Sequence, residues 1–366
     1  MGDWVNLHLA ILLQLLAKPP QPDEAIRYYM VARALRPEAF VASINLGNAL
    51  AVTGRYEEAI AVFEAALQLR PDHAWLLSNL SLAYTNVGQL DKALRAAQEA
   101  VRLSPDLAEA RCNLGMVHGR RGAWQDAEAA LGESIRLKPD LAEAHCQLGY
   151  VLGKQGKLAQ AADSLRRAVT LQKDYAKAYH QLGLVWEAKR QPEQAITAFR
   201  QALRINPTYH QALYRLGLAL QQQGNFPEAT DALRRWHEIA SGTPGWPRDQ
   251  SVQVVERCQR LQQLDGRLQA ILRGEGEPTT AAGWLDLASL CTIRKLPAAA
   301  TRAYAKVLAA SPEQGDAHRY DAACVAALAG CGQGKDAASL GEKERASLRG
   351  QSLKLLRHEL VRGTEF

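Results

Sequence analysis

The chain reads as an all-α solenoid of paired helices, and three observations carry that reading. Residues of matching type recur every 34 positions from the N-terminal region to about residue 240. Each period holds two stretches in which small or apolar residues fall at three- and four-residue steps, the spacing of one helical face. Glycine stands between most of these stretches, and proline follows the second in most periods.

Blocks opening at Pro37, Pro71, Pro105, Pro139, Lys173 and Pro207 need no insertion or deletion, and the block before them begins at Asp3. With positions counted from the fourth residue of each block, position 7 is Leu46, Leu80, Leu114, Leu148, Leu182 and Leu216. Position 8 is Gly47, Ser81, Gly115, Gly149, Gly183 and Gly217. Position 20 is alanine in all seven blocks, from Ala25 and Ala59 to Ala195 and Ala229.

Each of these residues has a mechanical reason. Positions 4, 7, 8 and 11 share one face of a first helix, and positions 20, 24 and 27 share one face of a second. Gly at position 8 and Ala at position 20 lack bulk, so the two helices approach closely there, as Gly115 would against Ala127. Phe63, Leu131, Leu165 and Phe199 at position 24 fill the space beside them. Gly54, Gly88, Gly122 and Gly156 suit the left-handed residue that ends a first helix. Helices of this length are marginal alone, and stacking buries the apolar stripe of each on its neighbours.

Beyond residue 240 the register breaks. Ser241 to Pro247 reads as a loop, and Val254, Cys258, Leu261, Leu264, Leu268 and Leu272 mark an amphipathic helix. Gly274 to Glu277 is a second break. The period then returns once, with Trp284, Leu287, Ala300, Tyr304 and Pro312 at positions 4, 7, 20, 24 and 32. A final hairpin follows, one helix near Asp316 to Ala329 and another near Glu342 to Val361, the second carrying Leu348, Leu353, Leu355 and Leu356.

This pattern resembles the tetratricopeptide-repeat (TPR) signature. The resemblance implies a helix-turn-helix solenoid wound as a right-handed superhelix, with a C-terminal helical cap. The expected organisation is seven tandem TPRs over 3–240, a loop and linking helix over 241–277, one further TPR-like unit over 278–311, and a capping hairpin and tail over 312–366.

The C-terminal third carries a narrower resemblance. Arg273-Gly274-Glu275, Trp284 to Leu290, Tyr304-Ala305, His318 to Cys324 and Ala329 to Gly334 are similar to the tail of certain large bacterial serine/threonine protein kinases, in which a kinase domain precedes a TPR array. The opening Asp3-Trp4-Val5-Asn6, Lys18-Pro19-Pro20 and Asp23 to Ile26 fits the same family. The catalytic half has no counterpart in these residues: no Gly-rich loop, V-A-I-K lysine, H-R-D or D-F-G motif occurs. His318-Arg319-Tyr320-Asp321 has neither the downstream Asn nor a nucleotide lobe before it. The chain is therefore expected to be no enzyme, with no catalytic residue and no cofactor.

Charge and cysteines bound the remaining classes. The 44 basic and 38 acidic residues are interspersed, whereas a nucleic-acid binder concentrates its cations in a stripe. No apolar run is long enough to span a bilayer. Leu7 to Ala17 lacks the positive flank and cleavage site of a secretory signal, since Asp3 precedes it and Lys18-Pro19-Pro20 follow. The start also lacks the Ser or Thr of a myristoylation site. A cytoplasmic protein is expected, with its six cysteines reduced and buried, since none forms a C-x-x-C pair. His118, His145 and His180 with Cys112 and Cys146 could be read as metal ligands. His118 and His145 fill positions where an aromatic normally packs, so core packing is the reading adopted and no metal is expected.

What remains is a binding surface. In a TPR array the first helices line the concave face, and positions 2, 6, 9 and 13 point into it. Position 6 reads Asn45, Asn79, Asn113, Gln147, Gln181 and Arg215, carboxamides able to pair with an extended backbone, closed by a cation. Around this ladder stand Asn48, Asn86, Arg120, Lys154 and Lys177. These eleven residues form the expected peptide-binding set, on side chains expected to point into the groove and away from the helix–helix core. The pattern of a chaperone-tail clamp is absent, because its basic members are missing among Ile44, Asn48, Asn79, Glu109 and Asn113.

The functional expectation is a scaffold holding an extended peptide or a partner protein. The alternative is the regulatory or substrate-recruiting array of a kinase polypeptide, and third stands a nucleic-acid binder, disfavoured by the mixed charge. Trp4 to Ala17, apolar nearly all round, is expected to meet an upstream domain or a second copy of the chain.

Overall fold

The computed structural model describes residues 2–11, 13, 21–36, 40–242, 246–311 and 318–363. These residues fold into two compact units, 1–191 and 192–366, and every regular element among them is a helix.

Unit 1 contains α1 (Gly2–Ile11), α2 (Pro22–Leu35), α3 (Phe40–Val52), α4 (Tyr56–Leu69), α5 (Ala74–Asn86), α6 (Leu90–Leu103), α7 (Ala108–Arg120), α8 (Trp124–Leu137), α9 (Ala142–Lys154), α10 (Leu158–Leu171) and α11 (Ala176–Ala188). Each helix packs on the next, and α5, α7, α9 and α11 also pack on one another in that order, so alternate helices form one layer. Unit 2 contains α12 (Pro192–Ile205), α13 (His210–Gln222), α14 (Phe226–Ala240), α15 (Arg248–Leu272), α16 (Ala281–Ile293), α17 (Pro297–Ala310), α18 (Arg319–Gly330) and α19 (Glu342–Gly363). Here α18 and α19 form a closing hairpin, and Asp336 caps α17 by accepting from the amides of Ala298 and Ala299 at 3.2 and 2.8 Å.

The packing follows residue size. The seven position-20 alanines and Ala300 are all fully buried at 0% exposure, which is what lets paired helices touch along their length. A Cβ placed on Gly115 would lie 2.6 Å from Leu131 Cγ, and on Gly149 2.5 Å from Leu165 Cγ. The closest neighbour of the position-8 glycine is thus the position-24 side chain. The expected contact of Gly115 with Ala127 is secondary, through the Ala127 carbonyl at 3.2 Å. The reason is reach: a leucine fills the notch that an alanine borders.

First helices end alike. In the first complete pair, Arg55 N donates to Leu50 O at 2.8 Å across Gly54, whose φ is +79°. That is the six-to-one closure of a Schellman turn, and its left-handed residue favours glycine. Two pairs meet the same geometry with a side chain, at Arg190 (φ 56°) and Lys295 (φ 60°).

Several expectations shift in register. Along α15 the buried face is Val255, Cys258, Leu261, Leu268 and Ile271, while Val254, Leu264 and Leu272 are half-buried. This 25-residue helix contacts both α14 and α16, so no single stripe serves its whole length. On α19, Leu353 is exposed and Ser352 buried. Cys112, Cys146, Cys258 and Cys291 are buried free thiols, whereas Cys324 and Cys331, the latter at the end of α18, are exposed. Residues 14–20, Pro37, the 243–245 part of the loop and 312–317 lie outside the described residues, and with them the later half of the expected N-terminal helix, Pro312 and Asp316. Among the described residues no helix is long and apolar enough to cross a membrane.

Candidate functional site: a groove along the first helices of unit 1

The layer formed by α3, α5, α7, α9 and α11 carries a groove of about 550 Å³. Helical geometry selects what lines it. Positions 2, 6, 9 and 13 lie three or four residues apart and face one way. The lining accordingly includes Val52, Leu82, Asn86, Asn113, Met116 and Arg120 toward α3–α7, and Glu143, Gln147, Tyr150, Lys177 and Gln181 toward α9–α11. Of the expected binding set, Asn86, Asn113, Arg120, Gln147, Lys177 and Gln181 come together here. Asn45, Asn48, Asn79 and Lys154 do not line this cavity, and Arg215 belongs to α13 of unit 2.

The carboxamides behave differently from the expectation that they stand free in the groove. Asn79 Nδ2 donates to Asn48 Oδ1 at 2.8 Å, joining α5 to α3. Asn113 Nδ2 donates to the carbonyl and hydroxyl oxygens of Ser78 at 3.1 and 2.9 Å, joining α7 to α5. Gln147 is buried, with Nε2 2.5 Å from Glu143 Oε1, and Asn86 Nδ2 turns back to Leu82 O at 2.8 Å. At Asn79 and Asn113 the position-6 carboxamide thus reaches the preceding first helix and pins one repeat to the next, whereas Gln147 bonds within its own helix.

Sequence reasoning passed over the group that organises the α9 end. Glu143, at position 2 of its repeat, accepts from Gln147, from the Tyr175 hydroxyl, and from Lys177 Nζ at 3.3 Å. Partial burial pushes its carboxyl up, yet Lys177, Tyr175 and Gln147 together hold it below the ordinary carboxylate value. Burial, with Cys146 and Glu143 adding, raises the Tyr175 phenol. Burial likewise pushes the Cys146 thiol up to about 12, so this thiol is neutral and a poor nucleophile. Tyr150 and Met116, both at position 9, complete the floor. Their signal was available, since position 9 was placed on this face, but a lone aromatic or methionine reads equally well as core.

Arg120 and Lys177 line the groove, and Lys154 stands beside its Tyr150 floor. Lys154 Nζ lies 5.6 Å from the centroid of the Tyr150 ring. Arg120, exposed at the end of α7, makes no hydrogen bond or ion pair among the described residues. Among the described residues no three His, Cys, Asp or Glu side chains could hold a metal ion together.

Comparison with known proteins agrees with this architecture. A family model described as the cilia and flagella-associated protein 70 C-terminal domain, a TPR domain, matches residues 10–206. The chain belongs to this TPR family. A single TPR-repeat model also matches residues 191–224. Among solved structures, the APC/C hetero-tetramer Cut9-Hcn1 is similar over 85% of this chain and 53% of its own, at 15% identity and a TM-score of 0.54. A tetratricopeptide repeat protein from Parabacteroides merdae ATCC 43184 is similar over 70% and 99%, at 13% identity and 0.52. At these identities the likeness concerns the TPR fold alone. MamA shares 28% identity over 44% of this chain and 95% of its own, at a TM-score of 0.39. No curated protein matches the chain. Neither family description mentions a kinase.

Proposed function

We propose that this TPR protein is a non-catalytic scaffold that holds a segment of another protein in the groove of unit 1. The observation that supports this most is the groove itself, about 550 Å³ and lined by side chains from α3, α5, α7, α9 and α11. Its floor is apolar at Leu82, Met116 and Tyr150, and its edges are polar, the pattern of a binding surface with an apolar centre and a wet rim. Asn113, Gln147 and Gln181 of the expected ladder contribute to the wall, Asn113 with its amide nitrogen turned to Ser78 of the neighbouring repeat.

The test places a photo-crosslinking residue at Met116, in the groove, and in a second protein at Gly132, exposed on the opposite helix of the same pair. Adducts with a partner protein should form at 116 and not at 132, and a bulky Met116→Trp change should weaken the same partner without unfolding the array. Equal adducts at both positions, or adducts only at 132, would move the binding surface off the groove.

A further inference from the structure

The groove changes character along its length. At its α3 end stand Val52, which is 75% exposed, together with Ala51, Tyr56 and Leu82. The equivalent of Val52 is Asn86 on α5, Arg120 on α7 and Lys154 on α9, so one position passes from apolar through neutral to cationic in successive repeats. Position 2 is apolar at Val41 and Trp75, 56% and 39% exposed, and then reads Glu109, Glu143 and Lys177, of which Glu109 and Glu143 are engaged by Lys138 and Lys177.

Several surface cations of unit 1 are matched: Arg55, Arg102 and Arg136 each approach a glutamate within 2.6 Å, and Lys138 and Lys157 within 2.9 and 2.8 Å. Arg120 and Lys154 have no carboxylate partner among the described residues, and the one carboxylate lining this end, Glu143, is taken up by Lys177 and Tyr175. A concave wall concentrates the field of such uncompensated charges.

We propose, resting on the groove reading above, that the bound segment is apolar at one end and acidic at the other. Its apolar end lies over α3 and α5, and its carboxylates meet Arg120 and Lys154 over α7 and α9. A nucleic acid fits less well, because its charge is uniform while the α3 end has no cation among its described lining residues and clusters Ala51, Val52 and Leu82.

The experiment uses the full chain and fluorescein-labelled peptides of about twelve residues, enough to extend across five first helices spaced ~8–10 Å apart. One peptide carries leucines in its first half and glutamates in its second; its counterparts replace glutamate by glutamine or by lysine. By anisotropy the Leu/Glu peptide should bind, and the Leu/Gln peptide more weakly by about two- to fivefold for each exposed ion pair lost. The double variant Arg120→Glu/Lys154→Glu should lose the Leu/Glu peptide by about tenfold or more and gain the Leu/Lys peptide. That gain also reports that the variant is folded, with circular dichroism as a second check. Equal binding of Leu/Glu and Leu/Gln peptides, unmoved by the charge reversal but weakened by Met116→Trp, would overturn this inference and leave the groove reading standing. Binding of none of the peptides, with no crosslink at residue 116, would overturn both. Tighter binding of a labelled single-stranded oligonucleotide than of the Leu/Glu peptide would overturn it in favour of nucleic acid.

Discussion

Helices α7 and α8 offer a direct test of how this array packs, because Gly115 on α7 and Gly132 on α8 stand in opposite environments. In a helix interior, Gly→Ala gains ~0.8–1 kcal/mol of intrinsic helix preference. At Gly132 on α8 nothing lies within 4 Å of the added Cβ, so that gain should appear whole. At Gly115 on α7 the same Cβ falls 2.6 Å from Leu131 Cγ, 3.1 Å from Cδ2 and 3.2 Å from the Ala127 carbonyl, where ordinary contact begins near 3.4 Å. Leu131 must retreat by most of an ångström, and it is fully buried among Cys112, Ala127, Ala144 and Val151. Overpacking of this kind costs ~1–3 kcal/mol. Gly115→Ala should therefore come out neutral to destabilising by about 2 kcal/mol, Gly115→Leu worse, and Gly132→Ala stabilising by about 1 kcal/mol. Urea denaturation followed by far-UV circular dichroism gives the global value. Solenoids can open repeat by repeat, so hydrogen exchange of the α7 and α8 amides reads the local one. Pairing Gly115→Ala with Leu131→Ala should cost less than the two singles summed, by about 1 kcal/mol. A Gly115→Ala protein stabilised as much as Gly132→Ala, or strict additivity of the pair, would show that these helices do not meet as described.

Two further outcomes follow from single residues. Arg190 occupies the left-handed turn position that glycine fills in most repeats, at a conformational cost of ~1–2 kcal/mol. Arg190→Gly should recover part of that against the extra chain entropy of glycine, a net gain of about 0.5–1 kcal/mol, and a fall in thermal midpoint would contradict it. Glu143 has its carboxyl held below the ordinary value of 4.5, so its contribution to stability is complete above that pH and is lost as pH falls through the depressed value. In Glu143→Gln that acid-side loss should shrink, seen as a flatter dependence of the urea midpoint below about pH 4.5, and an unchanged slope would mean that Lys177 and Tyr175 do not stabilise the ionised form.

The sequence by itself determined the helical pairs, their order and the residues between them. Contacts in a repeat array are local, so a period of 34 residues fixes which face of each helix is buried, as the position-20 alanines at 0% exposure bear out. A three- or four-residue step also brought Asn86, Asn113, Arg120, Gln147, Lys177 and Gln181 to one groove, while Asn45, Asn48, Asn79 and Lys154 fall outside its lining. What the sequence could not decide was the state of the side chains placed there. Asn79 and Asn113 look identical in the ladder to free binding groups, yet their amide nitrogens are committed to Asn48 and Ser78 on the first helix of the preceding repeat. Glu143 looked like one of several mixed surface charges until Tyr175 and Lys177, from the next repeat, closed around it, while Arg120 was left unmatched. Hydrogen bonds and ion pairs depend on ångström-scale reach between side chains of different repeats, and a pattern of residue types carries no information at that resolution. The α15 register moved for a related reason: its burial is set by two neighbours at once, α14 and α16, and only tertiary packing decides where along the helix each takes over.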